Sequence, residues 1–106
     1  MAVTVTTVEE FQAKVASGKY LVDFYATWCG PCQMLLPVLE EVTPTLAESD
    51  VEILKVNVDE LPQLAQQYGV MSVPSLFVVA DGKIKNSEAG FKPADALVDW
   101  VISSLA

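Results

Sequence analysis

The sequence predicts an α/β domain: a central mixed sheet of five strands with helices on both faces. Three observations carry this. Strand-like and helix-like segments alternate in the order βαβαβαββα, which calls for parallel strands joined by helices and an antiparallel hairpin at the end. Tyr20 to Ala26 is a nearly continuous apolar run, as expected of a strand buried on both faces. Asp81-Gly82, set between two strand-like runs, is a strong hairpin signal. The 106 residues contain no repeat and no Gly/Ser linker, so residues 1–106 form a single domain. A chain of this size buries roughly 65% of its unfolded surface, enough for a core without metals or several disulfides.

Each element has its own signal. Val3-Thr4-Val5 is a short β-branched run. Thr7-Val8-Glu9-Glu10 has capping-box spacing and opens a helix whose apolar face is Val8, Phe11 and Val15, up to Gly18. The apolar strand from Tyr20 follows, with Asp23 in its middle. Beyond Cys32, Leu35, Leu39, Val42 and Leu46 recur at helical spacing. Pro37 lies inside that pattern and is expected to kink it, and Pro44 either kinks it again or ends it. Val51 to Val58 is the next strand. Asp59-Glu60-Leu61-Pro62 opens a short helix that Gly69 closes. Ser75 to Ala80 and Lys83 to Ala89 are the hairpin strands. Pro93 to Leu105 is a last amphipathic helix carrying Leu97, Val98, Val101 and Ile102.

Composition excludes several functions. The formal charge is −8, and all six basic residues are lysine. Without arginine there is no bidentate fork for phosphate or guanine, and the net charge repels polyanions, so no nucleic-acid partner is expected. No apolar run approaches the roughly 20 residues of a membrane span. Met1 to Glu10 lacks the basic and apolar regions of a signal peptide. A soluble, cytoplasmic monomer is the expectation. With no histidine, Ser–His and Cys–His catalysis and the commonest transition-metal ligand are all missing. Chemistry must run on thiols, carboxylates and lysines.

The two cysteines, Cys29 and Cys32, are spaced C-x-x-C where the buried strand ends and a helix begins. Unpaired N–H groups and the positive dipole end of that helix favour an anion on Cys29, and Cys32 lies one turn on, within reach of a disulfide. Three plainer readings compete. Half of a four-cysteine zinc site needs two further ligands from a second chain. Inert core cysteines sit badly with Gly-Pro between them, which marks an exposed turn. A structural disulfide would staple only a tiny loop in a reducing compartment. A redox-active dithiol is the favoured reading.

Trp28-Cys29-Gly30-Pro31-Cys32, preceded by Val22-Asp23-Phe24-Tyr25-Ala26 and followed by Val73-Pro74-Ser75-Leu76, resembles the thioredoxin family. The likeness extends through Lys55, Pro37, Asp81-Gly82 and Gly90 to nearly the whole chain. C-x-x-C beside such a strand–helix pattern is itself a known mark of that family, so the assignment is a resemblance. It implies the thioredoxin fold and dithiol–disulfide exchange, with Cys29 as nucleophile and Cys32 as resolving thiol. No cofactor is implied beyond the cysteine pair, and electrons come from a thioredoxin reductase. The other partners are disulfide-containing target proteins.

The resemblance also assigns roles around the pair. Asp23, sharing a strand face with Leu21 and Tyr25, becomes the acceptor for the Cys32 proton rather than an acid on a half-exposed face. Lys55 becomes its ion-pair partner rather than a snorkelling lysine. Pro74 is expected cis, against the default of an ordinary trans proline. That bond would turn the Val73 backbone toward an extended target segment. Trp28, Gly30, Pro31 and Gly90 form a small apolar docking face; the alternatives are a core aromatic for Trp28, a helix start for Pro31 and a mere turn for Gly90. Gly-Pro between the cysteines resembles the reducing members. Tyr25, where many members have tryptophan, and Gln33, where a basic residue is common, depart from the pattern. A general protein-disulfide reductase is the leading function. The alternatives are an oxidase or isomerase of protein disulfide isomerase type, or a redox-independent binding subunit using the apolar face.

Overall fold

The computed structural model describes residues 2–106. The elements run β1 (Val3–Thr4), α1 (Val8–Val15), β2 (Lys19–Tyr25), α2 (Gly30–Ala47), β3 (Val51–Asn57), α3 (Pro62–Gln67), β4 (Ser75–Ala80), β5 (Lys83–Ala89) and α4 (Ala94–Leu105). The five strands form one sheet in the order β1-β3-β2-β4-β5. β3 runs parallel to both β1 and β2, whereas β4 is antiparallel to β2 and β5. The order expected from the sequence is the order observed.

Period-two alternation along the strands builds two separate cores. Tyr20, Val22 and Phe24 of β2 join Leu54, Val56, Phe77 and Val79 beneath α1 and α3, together with Phe11 and Leu64. Leu21 joins Ile53, Leu76 and Val78 beneath α2 and α4, where Leu35, Leu39, Val42, Leu46, Leu97 and Val101 cover them. Asp23 follows Leu21 on the same side of β2. It therefore points under α2, next to the start of that helix.

Local chemistry sets the boundaries. Thr7 caps α1, its hydroxyl accepting from the Glu10 N–H at 3.0 Å. The reciprocal arm of the expected capping box is displaced by one residue: the Glu10 carboxylate accepts from the Thr6 N–H at 2.9 Å. That hydrogen bond holds the Glu10 pKa below its ordinary value. α1 ends at Val15, short of Gly18. Both prolines lie inside α2, which continues to Ala47, so Pro44 does not end it. Pro37 and Pro44 are exposed. The carbonyls of Gln33 and Glu40, deprived of their helical donors, belong to that exposed side, where water can satisfy them.

Candidate active site

The site forms where β2 gives way to α2. Tyr25 closes the strand, Ala26 is buried, and the Ala26 carbonyl accepts from the Cys29 N–H at 3.3 Å, bending the chain into the helix. Cys29 is the N-cap of α2, with φ −91° and ψ 118°. Its Sγ accepts from the Cys32 N–H at 3.2 Å, the position usually held by a serine or aspartate oxygen. Pro31, in the first turn, brings no N–H of its own, so the Cys32 amide is the donor that reaches the sulfur. A sulfur so placed faces an unpaired helix N–H and the positive end of the helix dipole, both of which stabilise negative charge on it.

Cys29 and Cys32 are free thiols. Their surroundings differ. Cys29 is 6% exposed and sits within a ring of exposed Trp28, Gly30 and Pro31. Cys32 is 1% exposed beneath it. Burial first, and hydrogen bonding with Cys29 next, push the Cys32 thiol up to about 12. One sulfur is at the mouth of the helix and the other is a buried, protonated thiol.

The far wall comes from the loop before β4. The Val73–Pro74 peptide bond is cis. The Val73 carbonyl accepts from Cys29 Sγ at 3.5 Å, which places that backbone against the outer sulfur. The Pro74 carbonyl accepts from the Gly90 N–H at 2.8 Å and ties in the loop after β5. Gly90 holds φ +103°, a left-handed conformation that a side chain would strain, although the space around it is open. Val73, Pro74 and Gly90 are thus brought to the cysteines from segments 40 or more residues away in the chain.

Asp23 is fully buried, and neither carboxylate oxygen has a hydrogen-bond partner among the described residues. Burial pushes it up to about 7, with the charge of Lys55 pulling the other way. Asp23 and Cys32 are close enough for the Asp23 charge to help hold the Cys32 proton on. The expected ion pair with Lys55 does not form. The two residues pair in register on β2 and β3, but the one salt bridge among the described residues is Lys92–Glu88. Half-buried Lys55 acts on Asp23 through its field, not through contact.

Trp28 is no core residue: it is 72% exposed, anchored by its Nε1–H donating to Asp59 Oδ2 at 2.9 Å. Asp59 escaped the sequence reading as a site residue. Its signal lies in Asn57-Val58-Asp59 at the end of a strand, an Asx turn in which Asn57 Oδ1 accepts from the Asp59 N–H at 2.8 Å. Gln33, the departure noted beside the cysteines, donates from Nε2 to the Thr27 carbonyl at 3.0 Å and braces the same bend. A second feature missed is an apolar groove of about 220 Å³ next to Trp28, reaching from Val58 to Met71 and Val73. Among the described residues, no group of three or more potential ligands could hold a metal ion.

Comparison with known proteins agrees with this geometry. The sequence profile of the family described as Thioredoxin matches residues 2–103. A thioredoxin of Bacillus subtilis is 44% identical over 101 residues, covering 95% of this chain and 96% of that one. A thioredoxin of Staphylococcus aureus is 48% identical over 99 residues, covering 93% and 94%. A solved mutant thioredoxin from Halobacterium salinarum superposes with a TM-score of 0.85 at 41% identity, over 99% of this chain and 91% of its own. A dithiol at a helix start, a buried carboxylate beneath it and this kinship lead to one conclusion: the chain belongs to the thioredoxin family of thiol–disulfide oxidoreductases.

Proposed function

We propose that the chain is a general protein-disulfide reductase, with Cys29 as nucleophile, Cys32 as resolving thiol and a thioredoxin reductase as its source of electrons. The observation that carries this reading is the asymmetry of the two sulfurs. Cys29 Sγ takes an N–H from the first turn of α2, while Cys32 is buried and held protonated up to about 12. An attacking thiolate and a reserved second thiol are what a two-step exchange needs.

Cys29 Sγ, as the thiolate, attacks one sulfur of the target disulfide. A Cys29–target bond forms, the target S–S bond breaks, and the released target thiolate takes up a proton. Asp23 then accepts the Cys32 proton, and the Cys32 thiolate attacks Cys29 Sγ. The mixed disulfide breaks, the second target thiolate leaves and takes up its own proton, and the Cys29–Cys32 disulfide holds the oxidation. The target has gained two electrons and two protons. The thiol pair itself carries the electrons, so no metal or prosthetic group enters the cycle.

A carboxyl pushed up to about 7 is matched to accept a proton near neutral pH. Lys55 acts as a positioning charge that keeps Asp23 from rising further. The Val73 backbone, against Cys29, supports docking of an extended target segment by main-chain pairing, which reads few side chains and suits a broad target range. Exposed Trp28, Gly30, Pro31 and the Gly90 loop supply the apolar contact. Regeneration by a reductase fits a monomer working in the cytoplasm, where thiols are kept reduced.

The test is a turnover assay with a protein disulfide, run with dithiothreitol and with a thioredoxin reductase plus NADPH. The expected result is catalysis in both, with one NADPH consumed per disulfide. A dithiol potential at the oxidising end of the family, measured against glutathione, would overturn the reading in favour of an oxidase or isomerase.

A further inference from the structure

The loops around Cys29 carry an apolar groove with an acidic rim whose carboxylates make no salt bridge among the described residues. Trp28, Val58, Ala65, Val70, Met71 and Val73 line the groove, whose volume of about 220 Å³ admits a large aliphatic side chain. Met71 is 96% exposed, so this wall is apolar surface left in water by the free chain. Asp59 and Glu60, both exposed, follow Val58 directly. Asp59 is fixed in place by Trp28, which bonds Oδ2 and leaves Oδ1 with no hydrogen bond among the described residues. The field of Glu60 reaches into the site: it raises the Tyr25 phenol, second only to burial and ahead of Asp23.

No lysine forms a salt bridge with Asp59 or Glu60 among the described residues. Lys92, just beyond Gly90, is bound to Glu88 at 2.6 Å and lies over the Trp100 ring at 5.1 Å. Lys19 opens β2 and pairs with Ala80, which pairs in turn with Lys83. These two lysines are therefore at the far end of the strand, roughly 20 Å from the residues that enter the site. Gln33, in the first turn of α2, is neutral.

Resting on the reductase reading above, we propose that this site prefers target disulfides of one chemical kind. They are carried on segments that place an apolar side chain in the Trp28–Met71 groove and a lysine or arginine against the Asp59–Glu60 rim. Two adjacent carboxylates attract the cationic segment and repel an acidic one, so discrimination comes from both signs. The rim is in water, so the effect is modest and salt-sensitive. Exchange through Cys29 and Cys32 is the same for both kinds of target; docking is what differs.

The test is a single-turnover measurement with the pre-reduced full chain and two disulfide peptides. Both carry a leucine beside the disulfide, and they differ only in flanking lysines or glutamates. The lysine peptide is expected to react about 5- to 10-fold faster at low ionic strength. The advantage falls below about twofold near 1 M salt, where the Debye length is about 3 Å. The double variant Asp59→Asn/Glu60→Gln should reduce the low-salt ratio to less than about half its original value. Replacing the peptide leucine with serine should slow both peptides several-fold, and equal rates would overturn the groove's part. A ratio near one in the unmodified chain, or a ratio the double variant leaves intact, would overturn the assignment to this rim. Failure to reduce either peptide would instead strike the reductase reading itself.

Discussion

Asp23 and Lys55 stand opposite each other in register on the parallel strands β2 and β3, yet they make no ion pair. Asp23 has no exposed surface and, among the described residues, no hydrogen-bond partner for either oxygen. Lys55 is half-buried and contributes only its field. Desolvation wins, and the carboxyl stands at about 7 instead of in the ordinary aspartate range. Such a carboxyl costs stability at neutral pH, and the role proposed for it as acceptor of the Cys32 proton gives that cost a use.

The cost has a pH signature. A carboxyl raised in the folded state contributes fully to stability below its unfolded pKa and loses that contribution as pH rises through its folded value. The stability of the chain should therefore fall between about pH 4 and about pH 8, with the folded carboxyl titrating at about 7. The loss is on the order of a few kcal/mol, each pKa unit being worth about 1.36 kcal/mol. Asp23→Asn should remove the slope, slow exchange, and leave the variant the more stable protein at alkaline pH. Lys55→Met should move the midpoint of the pH–rate profile upward, because it removes the charge that pulls Asp23 down. Urea denaturation across the pH series checks the first expectation. An unchanged slope in Asp23→Asn would mean that another group carries it.

What could be read from the sequence was what local pattern determines. The apolar run of β2, the Asp-Gly turn and the strand–helix junction at Cys29 each follow from residues close together in the chain. The Trp28–Asp59 bond joins residues 31 apart, and no local signal fixes the loop separation that makes it. Asp23 and Lys55 show the same limit. Strand alternation puts them on one face, but the reach of a lysine side chain depends on what packs around it. Glu10 takes the Thr6 N–H and not that of Thr7, a one-residue choice that capping-box spacing does not specify. Pro44 lies inside α2 on an exposed side, where water can satisfy the freed carbonyl, and local pattern does not reveal that exposure.

The hairpin at the opposite end offers a test of stability without chemistry. Asp81 and Gly82 have φ +50° and +80°, both left-handed, as a two-residue turn between twisted strands requires. Asp81 also clamps Gly18: its Oδ1 accepts from the Gly18 N–H at 2.8 Å, and its own N–H donates to the Gly18 carbonyl at 2.8 Å. Gly82→Ala has room for its methyl group but not the conformation, so it should cost about 1–2 kcal/mol. Asp81→Ala should cost about 1–2 kcal/mol through the lost side-chain bond and the left-handed backbone. Exchange rates per folded molecule should not change in either variant, because the turn lies at the far end of the sheet from Cys29.

The division of labour proposed for the two sulfurs is open to chemical readout. Cys32 is 1% exposed and its thiol is pushed up to about 12, so it offers almost no thiolate to a reagent at neutral pH. At about pH 8, limiting iodoacetamide should label Cys29 and spare Cys32, as peptide mass mapping would show. Cys29→Ser should then abolish turnover outright. Cys32→Ser should keep the first step and lose the second, accumulating a mixed disulfide between Cys29 and its target on a non-reducing gel. Labelling of Cys32 first, or trapping through Cys32 in the Cys29→Ser variant, would reverse the assignment. The helix N–H that faces Cys29 Sγ would then be a structural cap and no more.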